Sequence, residues 1–280
     1  MVFRLWDVLL CKSFAPGKGE QPMKKPIKVL LGIVSAAALV LCALCVLFIV
    51  QYVRGQSLND RLGGGLTSAL LADITVDPDS DTRYMATDID FDELAALNDD
   101  IYAWIEVPGT VINYAVVQSD TDDLYYNNHG VDGAYFSGGS IYSQRYNSRD
   151  FQDSMTVLYG HNRQSQTMFA QLNNFADAAY FDEHRDIYIY TPDTVYRYEI
   201  FAAYVHSSEH LMLCYDFEDQ AQFEGYFAAL TDDLNANYRR ELFPAYGDKV
   251  LTLSTCYRQN RMQRYLVQAV LAEQFTVLQK

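Results

Sequence analysis

A strand-like run, KVLTLSTC (249–256), closes on Cys256. Period-two alternation places Val250, Thr252, Ser254 and Cys256 on one face, and Leu251, Leu253 and Thr255 on the other. A cysteine ending a strand on its more polar face, next to an arginine-rich loop, suits a nucleophile, because nearby positive charge favours the reactive thiolate. A small buried hydrophobe fits the same segment equally well. The loop YRQNRMQ (257–263) leads into a second strand beginning at Arg264. If the two strands pair as a hairpin, Arg264 starts close to where Cys256 ends. A guanidinium there can donate to a developing oxyanion or hold a substrate carbonyl. Arg258 and Arg261 compete for that role, and an ordinary surface cation is the plain alternative. His161 ends a further run, TVLYGHN, and offers the proton acceptor and donor that a thiol nucleophile needs. His129, in an Asn/Gly-rich turn, and His184, in a polar FDEHRD loop, fit that role less well. His206, His210 and Cys214 are spaced four apart, a metal-ligand stripe on a helix. Their segment follows a strand and is poorly helical, so no metal and no cofactor is expected.

These residues need a scaffold of short strands. β-Rich runs are separated by turn residues: YAWIEV (102–107), VINYAVV (111–117), GSIYS (139–143), MTVLYG (155–160), DIYIYT (186–191), VYRYEIFAAYV (195–205), KVLTLSTC and RYLVQAVL (264–271). Helical patterns interrupt them at Thr167–Asn173 and Phe217–Leu230, the latter with Phe223, Tyr226, Phe227 and Leu230 on one face. Before the first strand, Asp90 can cap a helix, with Glu93 three residues on and Phe91, Leu94, Ala95 and Leu97 as its apolar face. Many short strands with few helices predict a mostly β fold, a barrel or sandwich with inserted helices.

The 280 residues are half apolar and carry 36 acids against 21 bases, a net charge of −15. That balance excludes binding to a phosphate backbone, which requires a basic footprint. Residues 1–28 hold six bases and two acids, and 22 uncharged residues follow, Val29 to Val50. At ~1.5 Å per residue the run covers roughly 33 Å, enough for a hydrocarbon core of about 30 Å. Few bases follow it, so the positive-inside rule places the N-terminus in the cytoplasm and the acidic body outside. A cleaved signal peptide is the rival; the run is long for one and ends without a small-residue cleavage site. The expected organisation is a basic cytoplasmic segment (1–28), a transmembrane anchor (29–50), an extracellular stalk (51–87) and a globular domain (88–280). Within the stalk Asp77, Asp79 and Asp81 faintly suggest a calcium loop, but Thr82 and Asp88 occupy positions that need Gly and Glu. Of five cysteines only Cys214 and Cys256 reach the outside, too few for a disulfide scaffold.

TLSTC followed eight residues later by an Arg-Tyr strand, with YGHN upstream, resembles the sortases, membrane-anchored cysteine transpeptidases of Gram-positive bacteria. The order of INYAVVQ, GGSIY, LYGHN, MFAQL, VYRYEIF and LTLSTC is similar to class B, from about Phe91 to Leu271. The resemblance implies a closed β-barrel with inserted and N-terminal helices. It implies Cys256 as nucleophile, His161 as general acid/base and Arg264 as the group that stabilises the scissile carbonyl. Ser254 matches a substrate-lining position. DDLYY (122–126) matches a substrate-side segment, which makes Asp122 and Tyr126 candidate contacts. Ala115, Asp122 and Arg258 depart from the usual pattern and bear on peptide preference. The implied reaction cuts a C-terminal sorting signal after Thr and passes the thioacyl group to an amine of the peptidoglycan precursor. The implied partners are surface or pilus proteins carrying that signal, with the enzyme held at the cell membrane as a single-pass type II protein. An exported cysteine peptidase and an inactive membrane-tethered peptide-binding module are the alternatives.

Overall fold

Strands rich in Val, Ile, Tyr and Phe that are apolar on both faces need a sheet covered on both sides. The computed structural model, whose described residues are 25–63, 74–77, 80, 82–231 and 236–278, meets that need with a closed barrel. Its strands are β1 (Ile74–Val76), β2 (Arg83–Ala86), β3 (Ile101–Glu106), β4 (Asn113–Val117), β5 (Ile141–Tyr142), β6 (Met155–Tyr159), β7 (Asp186–Tyr190), β8 (Thr194–His206), β9 (Asn237–Tyr238), β10 (Val250–Cys256) and β11 (Arg264–Leu278). Neighbours run β11-β10-β6-β5-β4-β3-β7-β8, and β8 pairs with β11 to close an eight-stranded ring. β1 and β2 extend the far end of β11, and β9 extends β8. The predicted runs appear as strands, most of them shifted by a few residues at their ends, as expected where propensity meets turn geometry. β11, however, runs on past the expected Leu271 to Leu278, pairing there with β8 and β2.

The interior holds Ile105, Val116, Leu158, Phe169, Ile189, Leu251, Leu253 and Val267, all fully buried. Outside the barrel, α5 (Gln220–Leu230) lays Phe223, Tyr226, Phe227 and Leu230 against Phe201, Met155, Val250 and Leu266. These are the four residues its periodicity assigned to one face, and each such side chain contributes roughly 1.5–3 kcal/mol on burial. Asp219 caps α5 by accepting from the Gln222 amide at 2.9 Å. Asp90 caps α2 (Phe91–Leu97) in the same way, accepting from Glu93 at 2.9 Å. The helix expected at 167–173 forms three residues later, as a 3₁₀ segment at Ala170–Ala176.

The chain divides into two compact units after Ile49. In the first, every described side chain from Val29 to Ile49 is exposed on α1 (Lys25–Gly63), a helix long and apolar enough to cross a membrane. The basic residues 1–24, Gly64 and Gly65 of the GGG run, and Asp79 and Asp81 lie outside the described residues. The expected stalk needs correction. Within the second unit α1 continues to Gly63, and Leu58 and Leu62 pack beside Trp104 and Leu94. Arg54 pairs with Asp132 at 2.8 Å, and β1 and β2 join the sheet through β11. Residues 51–87 read as a linker because their apolar side chains are sparse; each finds a partner that is distant in sequence.

Candidate active site

Cys256 is half-buried at the end of β10. The β10–β11 hairpin is antiparallel and pairs Cys256 directly with Arg264. Directly opposed residues of such a pair project to the same face, and Arg264 Nη1 lies 3.6 Å from Cys256 Sγ. Neither competing arginine is placed this way. Arg258 donates to Gln166 Oε1, Asn174 Oδ1 and the Ala170 carbonyl, all on the 3₁₀ side. Arg261 stands in the hairpin loop, exposed.

On the other flank of β10 runs β6, parallel to it, with Ser254 beside Tyr159. Continuing that register by two residues brings His161 level with Cys256. The intervening Gly160 is required by close packing, since a Cβ there would stand 2.6 Å from Ile141 and 2.7 Å from Phe169. Its amide donates to the Ser254 carbonyl at 3.1 Å. His161 Nε2 is 2.7 Å from the Asn127 carbonyl. A carbonyl only accepts, so Nε2 carries the proton and Nδ1 is the nitrogen left to exchange one. Gly139 makes room for that carbonyl: it adopts φ +60°, and a Cβ there would sit 2.7 Å from Asn127 O.

Sequence reasoning missed two asparagines. Asn162 Nδ2 donates to the Cys256 carbonyl at 2.9 Å, and Asn173 Nδ2 does so at 3.3 Å. Both fix the strand end that presents the sulfur. Asn162 adjoins the histidine in YGHN, but nothing in the sequence marks Asn173.

A cleft of about 320 Å³ runs along the sheet face back from Cys256, lined by Ser254, Arg264, Tyr142, Tyr159, Leu124 and Asn127. Burial pushes the Tyr142 phenol up to about 12; Arg264 pulls it down and Cys256 pushes it up, both more weakly. The DDLYY segment needs correction. Tyr126 is only 2% exposed, its hydroxyl donating to Asp100 and accepting from Asn98. Asp122 is exposed and accepts from the Leu124 amide, closing a turn. The 3₁₀ turn Tyr125–Asn127 aligns residues three apart, so Leu124 and Asn127 line the cleft instead. The spaced His206, His210 and Cys214 form no helical stripe: His206 ends β8, and His210 precedes α4 (Leu211–Cys214).

Residues 105–272 match the family described as Sortase domain. Sortase B of Listeria monocytogenes is 30% identical over 175 residues, 61% of this chain and 70% of that protein. The X-ray structure of Clostridium perfringens sortase B superimposes with a TM-score of 0.59 at 28% identity, covering 66% of this chain and all of that one. A Staphylococcus aureus sortase B–substrate complex gives 0.58 at 26%, covering 65% of this chain and 84% of that one. Barrel, sequence and relatives agree, and the chain belongs to the sortase family of cysteine transpeptidases, in its class B branch.

Proposed function

We propose that this protein is a membrane-anchored transpeptidase that cleaves a sorting signal after Thr and transfers the acyl group to an amine of the cell-wall precursor. The observation that carries the chemistry is the Arg264 guanidinium 3.6 Å from the Cys256 sulfur across a paired strand, with His161 on the register of the strand beyond. Cys256 is the nucleophile, His161 the general acid/base and Arg264 the oxyanion and carbonyl donor. Ser254 lines the donor cleft.

In the first half-reaction the Cys256 sulfur bonds to the scissile carbonyl carbon while negative charge grows on its oxygen. Arg264 donates to that oxygen, which is worth most in a partly desolvated site. The C–N bond then breaks, and the Nδ1 proton of His161 passes to the leaving amine. The Asn127 carbonyl accepts from Nε2 and holds the ring in place throughout. In the second half-reaction an acceptor amine attacks the thioester, its proton returns to Nδ1, and the C–S bond breaks to restore the thiolate. A solved relative, the Staphylococcus aureus sortase B–substrate complex, supports a substrate-binding role for this barrel.

The apolar helix with basic residues before it supports a type II orientation, the domain outside and the chain divided into head, anchor, connecting segment and enzyme as read from the sequence. The test is product analysis with a sorting peptide, with and without an added amine. Amine-dependent ligation product is expected; release of acid alone at every amine concentration contradicts transpeptidation. A thiol-directed probe that fails to label Cys256 contradicts catalysis of either kind.

A further inference from the structure

A second cleft, of about 360 Å³, opens beyond the ends of β6 and β10, on the His161 side of the cysteine. Tyr52, Ser137, His161, Arg163, Gln164 and Arg261 line it. Its charge is unlike that of the rest of the chain. Acids outnumber bases 36 to 21 overall, yet two arginines and a histidine face this cleft and no Asp or Glu is among its lining residues.

The arginines differ in how they are held. Arg163 Nη1 donates to the Ser137 carbonyl at 3.2 Å and Nη2 to the Tyr52 hydroxyl at 3.3 Å. Its guanidinium stacks over the Tyr52 ring at 5.3 Å and the Phe136 ring at 5.9 Å. Arg163 is therefore fixed, with donors to spare among its five N–H groups. Arg261, in the hairpin loop, has no hydrogen-bond or ion-pair partner among the described residues. A fixed and a free guanidinium beside a proton-transfer histidine make a place for an anion.

Position relates this cleft to the reaction. His161 protonates the leaving amine and later deprotonates the entering one, so both amines approach from its side. The acyl portion occupies the other cleft, along Ser254 and Arg264. We infer that the His161-side cleft is the acceptor site, and that it selects amines carrying a carboxylate or phosphate close to the attacking nitrogen. The inference rests on the transpeptidase reading above. In the step it serves, the acceptor nitrogen bonds to the thioacyl carbon, its proton moves to His161 Nδ1, and the C–S bond breaks. The acceptor's anion stays with Arg261 and Arg163 throughout and takes no part in bond exchange.

The test uses the full-length protein in detergent, a sorting peptide, and two pairs of amines differing only in charge. Glycylglycine is compared with its C-terminal amide, and 2-aminoethyl phosphate with ethanolamine, as kcat/KM for ligation. The charged member of one pair is expected to win by about tenfold, the size of one charge-assisted hydrogen bond. That pair also tells carboxylate from phosphate. In Arg261→Gln, and at high salt, the ratio falls toward one. Ratios near one in the unaltered protein, or a preference that survives in both Arg261→Gln and Arg163→Gln, overturn the acceptor site alone. Thioester hydrolysis with no ligation to any of the four amines overturns the transpeptidase reading and the acceptor site with it.

Discussion

At Cys256 every contact serves the position of one sulfur. Its carbonyl accepts from Asn162 and Asn173, and its cross-strand partner Arg264 reaches the sulfur. Cys256→Ala removes only a sulfur at a strand end, so peptide cleavage is expected to vanish while the thermal unfolding midpoint stays near that of the parent. Arg264→Lys keeps the charge and loses the planar fork, and kcat/KM for the peptide should fall by ~10² or more. A mild Arg264→Ala together with a severe Arg258→Ala would reassign the role; Arg258 is already committed to the 3₁₀ segment. Cys214, exposed at the end of α4, has no part in this geometry. Cys214→Ala should leave the cleavage rate within twofold or so of the parent, inside the usual scatter of surface substitutions.

At the level of elements, the β8–α4 connection carries a titrating group. His210 Nε2 donates to Gln144 Oε1 at 2.5 Å, and its Nδ1 is buried without a partner among the described residues. Burial holds its pKa below the ordinary histidine value of 6.5; its own backbone and Asp123 oppose that only partly. The sign follows from linkage. As pH falls below 6.5 the unfolded chain takes up a proton that the folded site resists, so stability is complete above that value and erodes beneath it. Thermal midpoints compared at about pH 7.5 and about pH 5 should drop further in the parent protein than in His210→Gln, which cannot titrate. Equal drops would remove His210 from the acid response. The connection also lines the donor cleft through His210 and Leu211, so acid that loosens it should raise KM for the peptide before it lowers kcat.

At the scale of the whole barrel domain, one ion-pair cluster joins β2, β7, β8 and β11. Arg197 on β8 pairs with Asp186 at 2.8 Å, Glu199 at 2.8 Å and Glu273 at 2.7 Å, and Glu273 also meets Arg83 on β2. Burial alone would raise the Glu273 carboxyl, but Arg83 and Arg197 outweigh it and hold its pKa low. Arg197→Ala strands Asp186 and Glu199 and leaves Glu273 with Arg83 alone, and a loss of about 1–3 kcal/mol is expected in denaturant unfolding, discounted for partial exposure. A chain beginning at Asp88 would lose β1, β2, the Arg54–Asp132 pair and the Tyr52–Arg163 contact. It should unfold at a lower temperature than one beginning at Val50, a revision of the stalk expected from sequence. For the intact protein, protease added to protoplasts should remove the barrel domain and leave a small membrane-bound fragment. Protection of the domain, or its full release as a shorter chain, would contradict the anchored orientation.

The sequence by itself determined the signals that are local. Short β-rich runs located the eight barrel strands, the Asp90 cap and the four-residue face of α5 followed from helical spacing, and an uncharged stretch located the long helix. The hairpin between KVLTLSTC and RYLVQAVL placed Arg264 opposite Cys256, because a short loop leaves antiparallel strands little freedom of register. His161 came from its residue type and the YGHN resemblance. Its alignment with Cys256 came only from the parallel pairing of β6 with β10, two strands nearly a hundred residues apart. The same is true of Asn173 on the Cys256 carbonyl, of the Asn127 carbonyl on His161, and of Tyr52 bracing Arg163. Tyr126 was misassigned for this reason: its aromatic ring and hydroxyl suit a binding contact or a buried, hydrogen-bonded core position equally well. Local periodicity records which way a side chain points along its own element. Only closure of the barrel decides which distant side chain it meets there.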